Sequence, residues 1–190
     1  MSPYSYLAST GIEGVVQRTG ATLRLKPLYL PGVMRATGNK SPIETPSKAL
    51  YTLKDLNDWA QHHALPPIIL PDKFPFSAAQ ADRVAIVVGE LAPAKQLRLV
   101  VEVFKQTWVA RADTNAPEVL TPLLAALELD ARAVLDRAQS EEVKAKLRAN
   151  TDEAIERGAF GVPTFFVGDQ MFVGNDRLHF VEAALKKATP

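Results

Sequence analysis

The sequence predicts an α/β fold in which short mixed segments at the two ends of the chain enclose a long all-helical middle. Three observations predict it. The opening residues read as a helix that runs into the alternating segment ATLRLKPLYL. From Ser47 to about residue 155 the apolar spacing is helical. The final stretch, GVPTFFVGDQMFVGNDRLHFVEAALKKA, then switches to strand, tight turn, strand and helix. The 190 residues therefore divide into a discontinuous α/β domain, residues 1–46 with 156–190, and a helical insertion, residues 47–155. With 47% hydrophobic residues, a chain of this length can bury a substantial core.

Each element has a local reason. Ser2 is a natural N-cap and Pro3 suits the first helical position, where no N–H is needed. Tyr4, Tyr6 and Leu7 begin an apolar stripe, and Gly20 stops the helix. Leu23, Leu25 and, past Pro27, Leu28 and Leu30 alternate as a strand does. PGVMRATGNKSPIETP reads as a loop, with Gly and Pro at its turns. The next helix carries Leu50, Leu53, Leu56 and Trp59 and ends before Pro66 and Pro67. After the irregular PPIILPDKFPF come helices at SAAQADRVAIVVGEL, from Pro93 to about Ala110, from Pro117, and from Asp130 and Ser140. A strand is expected over Thr164–Val167, a turn at Gly168 and Asp169, and a second strand over Met171–Val173. Gly174 leads into a last helix, capped by Asn175 or Asp176.

Composition excludes several classes of function. Basic residues number 22 and acidic residues 21, for a net charge of +1, and neither sign forms a block or stripe. No nucleic-acid or membrane partner is expected. No apolar run approaches the roughly 18 residues of a membrane-spanning helix, and no charged-then-apolar leader opens the chain. A cytoplasmic location is expected. The absence of cysteine removes disulfides, thiolate metal sites and protein-thiol redox chemistry. His62, His63 and His179 lack metal-ligand spacing, and the first two suit a helix C-terminus, so no metal is expected.

Three places remain for chemistry. Ser2 either caps its own helix or points, with the positive helix end, at an anion. Pro163 either opens an edge strand or follows a cis bond that turns the Val162 backbone toward a ligand. Asn175 and Asp176 either cap a helix or receive a charged group there.

Taken together, SPYSYLA at a helix start, ATGN in the next loop, the helical insertion and FGVPTFFVGDQMFVGNDRL resemble the 2-hydroxychromene-2-carboxylate isomerases. These are relatives of the kappa-class glutathione transferases, within the DsbA-like branch of the thioredoxin fold. The resemblance covers essentially the whole chain. It implies a thioredoxin-like fold with a large all-helical insertion and glutathione as cofactor. Ser2 is then the catalytic residue, donating to the glutathione sulfur, with helix end and hydroxyl together lowering the thiol pKa. Ser2, Pro3, Tyr4, Asn39, Val162, Pro163, Asn175 and Asp176 become the glutathione-binding set. Val162 would pair with the cysteinyl backbone, and Asn175 and Asp176 would meet the γ-glutamyl end. Arg35 and Lys48, with Lys40 beside them, are candidates for the carboxylate of a small aromatic substrate, and Tyr4, Tyr51 and Trp59 for its ring. The expected reaction is thiolate addition to an enone, bond rotation and elimination. A homodimer is also implied.

The departure from the family lies at the start. A short strand normally precedes the SPYSY serine, and here only Met1 stands before it. The expected consequence is a gap about one strand wide between ATLRLKPLYL and TFFV, from a start assigned too far downstream or a trimmed chain, with a strand from a partner chain as the less favoured alternative. Two rival functions share the residues: a kappa-like transferase, and a non-catalytic thioredoxin-like module that binds thiols or peptides.

Overall fold

A computed structural model of the chain describes residues 1–188, so the last two residues of the 156–190 piece lie outside the described residues. Helix α1 (Pro3–Thr19) runs through the centre, with Tyr6, Leu7, Ala8, Ile12 and Val15 all buried. Gly20 ends it at φ 66°, donating its N–H to the Val16 carbonyl at 2.9 Å. That left-handed conformation is the one glycine adopts without penalty.

The strand expected at ATLRLKPLYL does not form. Half-buried Leu23 and Leu25 alternate with exposed Thr22, Arg24 and Lys26, the exposure period of a strand. Yet no backbone bond joins residues 21–28 to a neighbouring strand among the described residues. A strand is defined by its ladder, and the neighbour is absent. Leu30 already belongs to α2 (Leu30–Thr37), which replaces the expected loop. Pro31 sits in its first turn, where its missing N–H costs nothing, and Gly38 closes it at φ 70°.

The helical middle follows expectation. It comprises α3 (Pro46–His62), α4 (Ala79–Leu91), α5 (Pro93–Trp108), α6 (Pro117–Ala125), α7 (Ala131–Arg137) and α8 (Glu141–Glu156). Asp130 and Ser140 cap α7 and α8, accepting from the N–H groups of Ala133 and Val143. In the α3 series, Leu56 is buried but Leu50 is 73% exposed. A spacing of three drifts about 60° per step around an α-helix, so the series cannot share one face.

Strands β1 (Thr164–Val167) and β2 (Gln170–Val173) form an antiparallel hairpin, pairing Thr164 with Val173 and Val167 with Gln170. Helix α9 (Leu178–Ala188) packs back on α1. Among the described residues three apolar clusters result. One joins α4–α8 around Val84, Leu99 and Leu124. A second joins Tyr6 and Leu7 to Leu56, Ile68 and Trp108. The third sets Leu23, Phe165 and Val167 against Ile12, Val15 and Val181. Between residues 21–28 and β1 lies a cavity of about 590 Å³, so the expected gap is present.

Candidate functional site

Ser2 holds the N-cap position of α1 with extended backbone, φ −126° and ψ 133°, and is buried. Its hydroxyl makes no bond to its own helix. It donates instead to the carbonyl of Val162 at 3.3 Å. Pro3 has no N–H, and the Ser5 and Tyr6 N–H groups donate to the Ser2 carbonyl at 3.1 and 3.3 Å. The Tyr4 N–H, in the first turn, makes no backbone bond among the described residues. No acidic side chain sits in the first turn, so nothing within α1 offsets the positive end of its dipole.

The Val162–Pro163 bond is cis, and Pro163 directly precedes β1. The Pro163 carbonyl accepts the Gly174 N–H at 2.9 Å, tying the entrance of β1 to the turn that follows β2. Asn39, just past α2, donates its side-chain amide to the Phe160 carbonyl at 2.8 Å. Ser2, Asn39 and Gly174 thus each bond to one stretch of backbone, residues 160–163, with Asn175 next in sequence to Gly174.

Asn175 and Asp176 do not cap α9 as expected. With Arg177 they form a 3-10 turn ahead of it, and neither side chain caps that turn. The reason lies at Gly174, whose φ of 113° turns the chain sharply and brings Asp176 Oδ1 to within 2.5 Å of where a Cβ would stand. Asn175 is buried at 6% exposure, and its side-chain amide nitrogen has no partner. Asp176 pairs with Arg177 at 3.2 Å. A buried, unpartnered amide donor is costly unless an acceptor arrives.

The Tyr4 hydroxyl donates to Asp55 of α3 at 2.7 Å. Burial and this bond push its pKa well above the ordinary phenol value. Tyr4 is therefore anchored to α3, with its hydroxyl already engaged. Lys48 borders a shallow recess of about 300 Å³ with Pro42, Ser47, Tyr51 and Thr52. Arg35 is exposed in the last turn of α2, and no described contact ties it or Lys48 to residues 160–163. Among the described residues no cluster of metal-ligating side chains occurs, and no helix is long and apolar enough to cross a membrane.

One group escaped the sequence reading. Asp82, on α4, faces the 590 Å³ cavity, enclosed by protein though open to that void. Burial pushes its carboxyl up to about 6, against the opposing pull of the Met1 ammonium and Arg83. The Met1 ammonium is pushed down by the same burial, Asp82 working against it. In sequence, Asp82 beside Arg83 reads as an ordinary acidic residue in a helix's first turn, so nothing local betrays its setting.

Fold and site together define a DsbA-like thioredoxin domain: the family model of that description matches residues 1–186, and the chain belongs to that family. More particularly, it is 30% identical over 187 residues to the 2-hydroxychromene-2-carboxylate isomerase of Sphingobium xenophagum, covering 97% of this chain and 93% of the relative. The solved structure of a 2-hydroxychromene-2-carboxylate isomerase, also 30% identical, superposes with a TM-score of 0.87 over 98% of this chain and 91% of that one. Human glutathione S-transferase kappa 1 is 29% identical over 95% of this chain and 85% of the relative.

Proposed function

We propose that this chain is a glutathione-dependent isomerase of 2-hydroxychromene-2-carboxylate-type aromatic keto acids, acting in aromatic catabolism. The observation that carries the reading is the buried Ser2 hydroxyl, which leaves its own helix uncapped and lies against the backbone beside a cis proline. The unpartnered Asn175 amide supports the fit of an anionic peptide-like cofactor, since it is a donor awaiting an acceptor.

The chemistry glutathione supplies when bound is a thiolate whose reversible addition to a conjugated enone lets a double bond turn. The chain's residues prepare it. The Ser2 hydroxyl and Tyr4 N–H donate at the positive end of α1, where a sulfur anion is favoured over a thiol. Val162 offers its N–H and carbonyl as a strand edge for the cysteinyl backbone, and the Asn39 bond to Phe160 holds that segment in place. Asn175 donates to the γ-glutamyl carboxylate and Asp176 takes its amino group. Lys48, beside the recess with Tyr51, is the stronger candidate for the substrate carboxylate, and Arg35 the weaker.

Kappa-class relatives of similar identity support a second reading, in which the same site directs the thiolate at electrophiles. The exposed pair Leu50 and Tyr51, 73% and 67% accessible, supports the homodimer. Calorimetric titration with glutathione tests the site. Saturable micromolar-to-millimolar binding is expected, weakened about 10- to 100-fold in Ser2→Ala, the worth of one hydrogen bond to a charged group. Absence of binding, or a Ser2→Ala variant that binds as tightly as the parent, would sink the proposal. Isomerase assays against transferase assays then separate the two readings.

A further inference from the structure

Helix α3 ends in a cluster of three rings. His62 is its last residue, and His63, at φ −90° and ψ 8°, is its C-cap. The His63 imidazole lies over the Trp59 indole at an interplanar angle of 21°, with the ring centres 5.6 Å apart. The His62 ring meets the same indole edge-on, at 89° and again 5.6 Å. The two imidazoles are themselves 5.1 Å apart and inclined at 70°. Neither makes a hydrogen bond or an ion pair among the described residues, so both nitrogens of each ring stand unengaged. His62 is exposed and His63 half-buried, so solvent reaches the pair.

Two features suit this cluster to a cation. The first is distance. With a metal–nitrogen bond of about 2.0 Å and a ring centre about 1.1 Å beyond the nitrogen, two imidazoles on one tetrahedral ion have centres about 5 Å apart. The observed 5.1 Å therefore requires no approach of the rings, only a turn about χ2, which is a soft torsion. The second is position, at the C-terminus of a 17-residue helix, where the backbone dipoles leave partial negative charge. Adjacent residues on a helix stand about 100° apart, so sequence spacing gives no hint of the pair. The rings meet because the helix ends between them and both rest on Trp59.

We propose that His62 and His63 together bind one divalent transition-metal ion of tetrahedral preference, zinc being the first choice, with water completing its shell. Zinc takes imidazole nitrogen readily. The square arrangement of copper(II) would need ring centres about 4.4 Å apart, and magnesium or calcium calls for oxygen donors. Trp59 holds both rings before the ion arrives, so little side-chain freedom is lost on binding. The site lies about 21 Å along α3 from Lys48, apart from the residues assigned to glutathione and substrate.

The test is calorimetric titration of the whole chain, free of any histidine tag, with zinc chloride and without glutathione. Saturable binding of one ion per chain is expected. His62→Gln and His63→Gln should each weaken it at least tenfold, and His179→Gln should leave it unchanged. Cobalt(II), which occupies zinc sites and quenches a neighbouring indole, is expected to dim Trp59 emission, and zinc to restore it. No saturable binding up to millimolar zinc would overturn the proposal. So would zinc binding or cobalt quenching that persists undiminished in His62→Gln, a replacement the fold tolerates because the residue is exposed. Glutathione takes no part in either readout, so the outcome is independent of the proposed activity.

Discussion

Residues 21–28 and β1 are the two walls of one cavity, and both have the sequence of a strand. Only β1 is one. TFFV finds QMFV across a two-residue turn, Gly168 and Asp169, with Gly168 at the φ of 57° that such a turn requires. ATLRLKPLYL has no such local partner. Its alternation survives as exposure, and its backbone ladder does not form. Its polar backbone groups turn to side chains instead. Gln96 donates to the Leu25 carbonyl at 3.3 Å, Asn150 to the Pro27 carbonyl at 3.0 Å, and the Tyr29 N–H donates to Thr151 at 2.9 Å. Pattern sets which face a side chain takes, and pairing sets whether a strand exists.

The sharpest way to break this comparison is to truncate one apolar anchor on each wall. Phe165 and Leu23 contact the same cluster on α1 and α9. Phe165→Ala is expected to cost about 2–3 kcal/mol, less than a fully buried Phe because the residue is half-buried. Leu23→Ala, on the unpaired wall, is expected to cost about 1 kcal/mol, since a wall without a ladder can relax around the loss. Urea denaturation measures both. Equal costs would mean that the two walls are equally rigid and that pairing does not distinguish them.

Asp82 probes the space between the walls. Its ordinary value near 3.8 rises to about 6 in the fold, so the folded chain holds this proton to higher pH than the unfolded chain does. Stability from this group is therefore fully present below about pH 4 and lost as pH rises through 6. Asp82→Asn removes that loss. The variant is expected to be about 1–3 kcal/mol more stable than the parent at pH 7.5 and no more stable at pH 4, by urea denaturation at both. An advantage confined to low pH would mean that the cavity favours the carboxylate, and so is polar rather than apolar in character.

Much of this was legible in the sequence because it is local. The caps at Asp130 and Ser140, the proline starts of α5 and α6, and the hairpin follow from residues within a turn of one another. What was illegible depends on distant partners. The helix of Leu30–Thr37 was hidden because Pro31 and Gly32 read as loop formers, yet both are tolerated in a first turn. The 3-10 turn at Asn175 follows from a backbone kink at Gly174 and its bond to Pro163, which helix periodicity cannot reveal. Family resemblance supplied the site residues, and hydrogen bonds tie Ser2 to Val162, Asn39 to Phe160 and Gly174 to Pro163. The geometry attaches neither Arg35 nor Lys48 to them. Tyr4 is held by Asp55, and no spacing signalled that pair across two helices.

The smallest effect is expected where a helix braces the paired wall. Arg157, at the end of α8, lays its guanidinium 3.8 Å from the centre of the Phe166 ring and donates to the Gly168 carbonyl at 2.8 Å. It thereby touches both β1, where Phe166 borders the cavity, and the hairpin turn. Because its side chain is 40% exposed, solvent screens the contact, and Arg157→Met is expected to cost about 0.5–1 kcal/mol. The informative readout is amide exchange across Thr164–Val173. If the hairpin is sustained by its own pairing, exchange there changes little while global stability falls slightly. If it opens markedly, β1 owes its ladder to α8 as well as to β2, and the contrast between the two walls becomes one of bracing as much as of pairing.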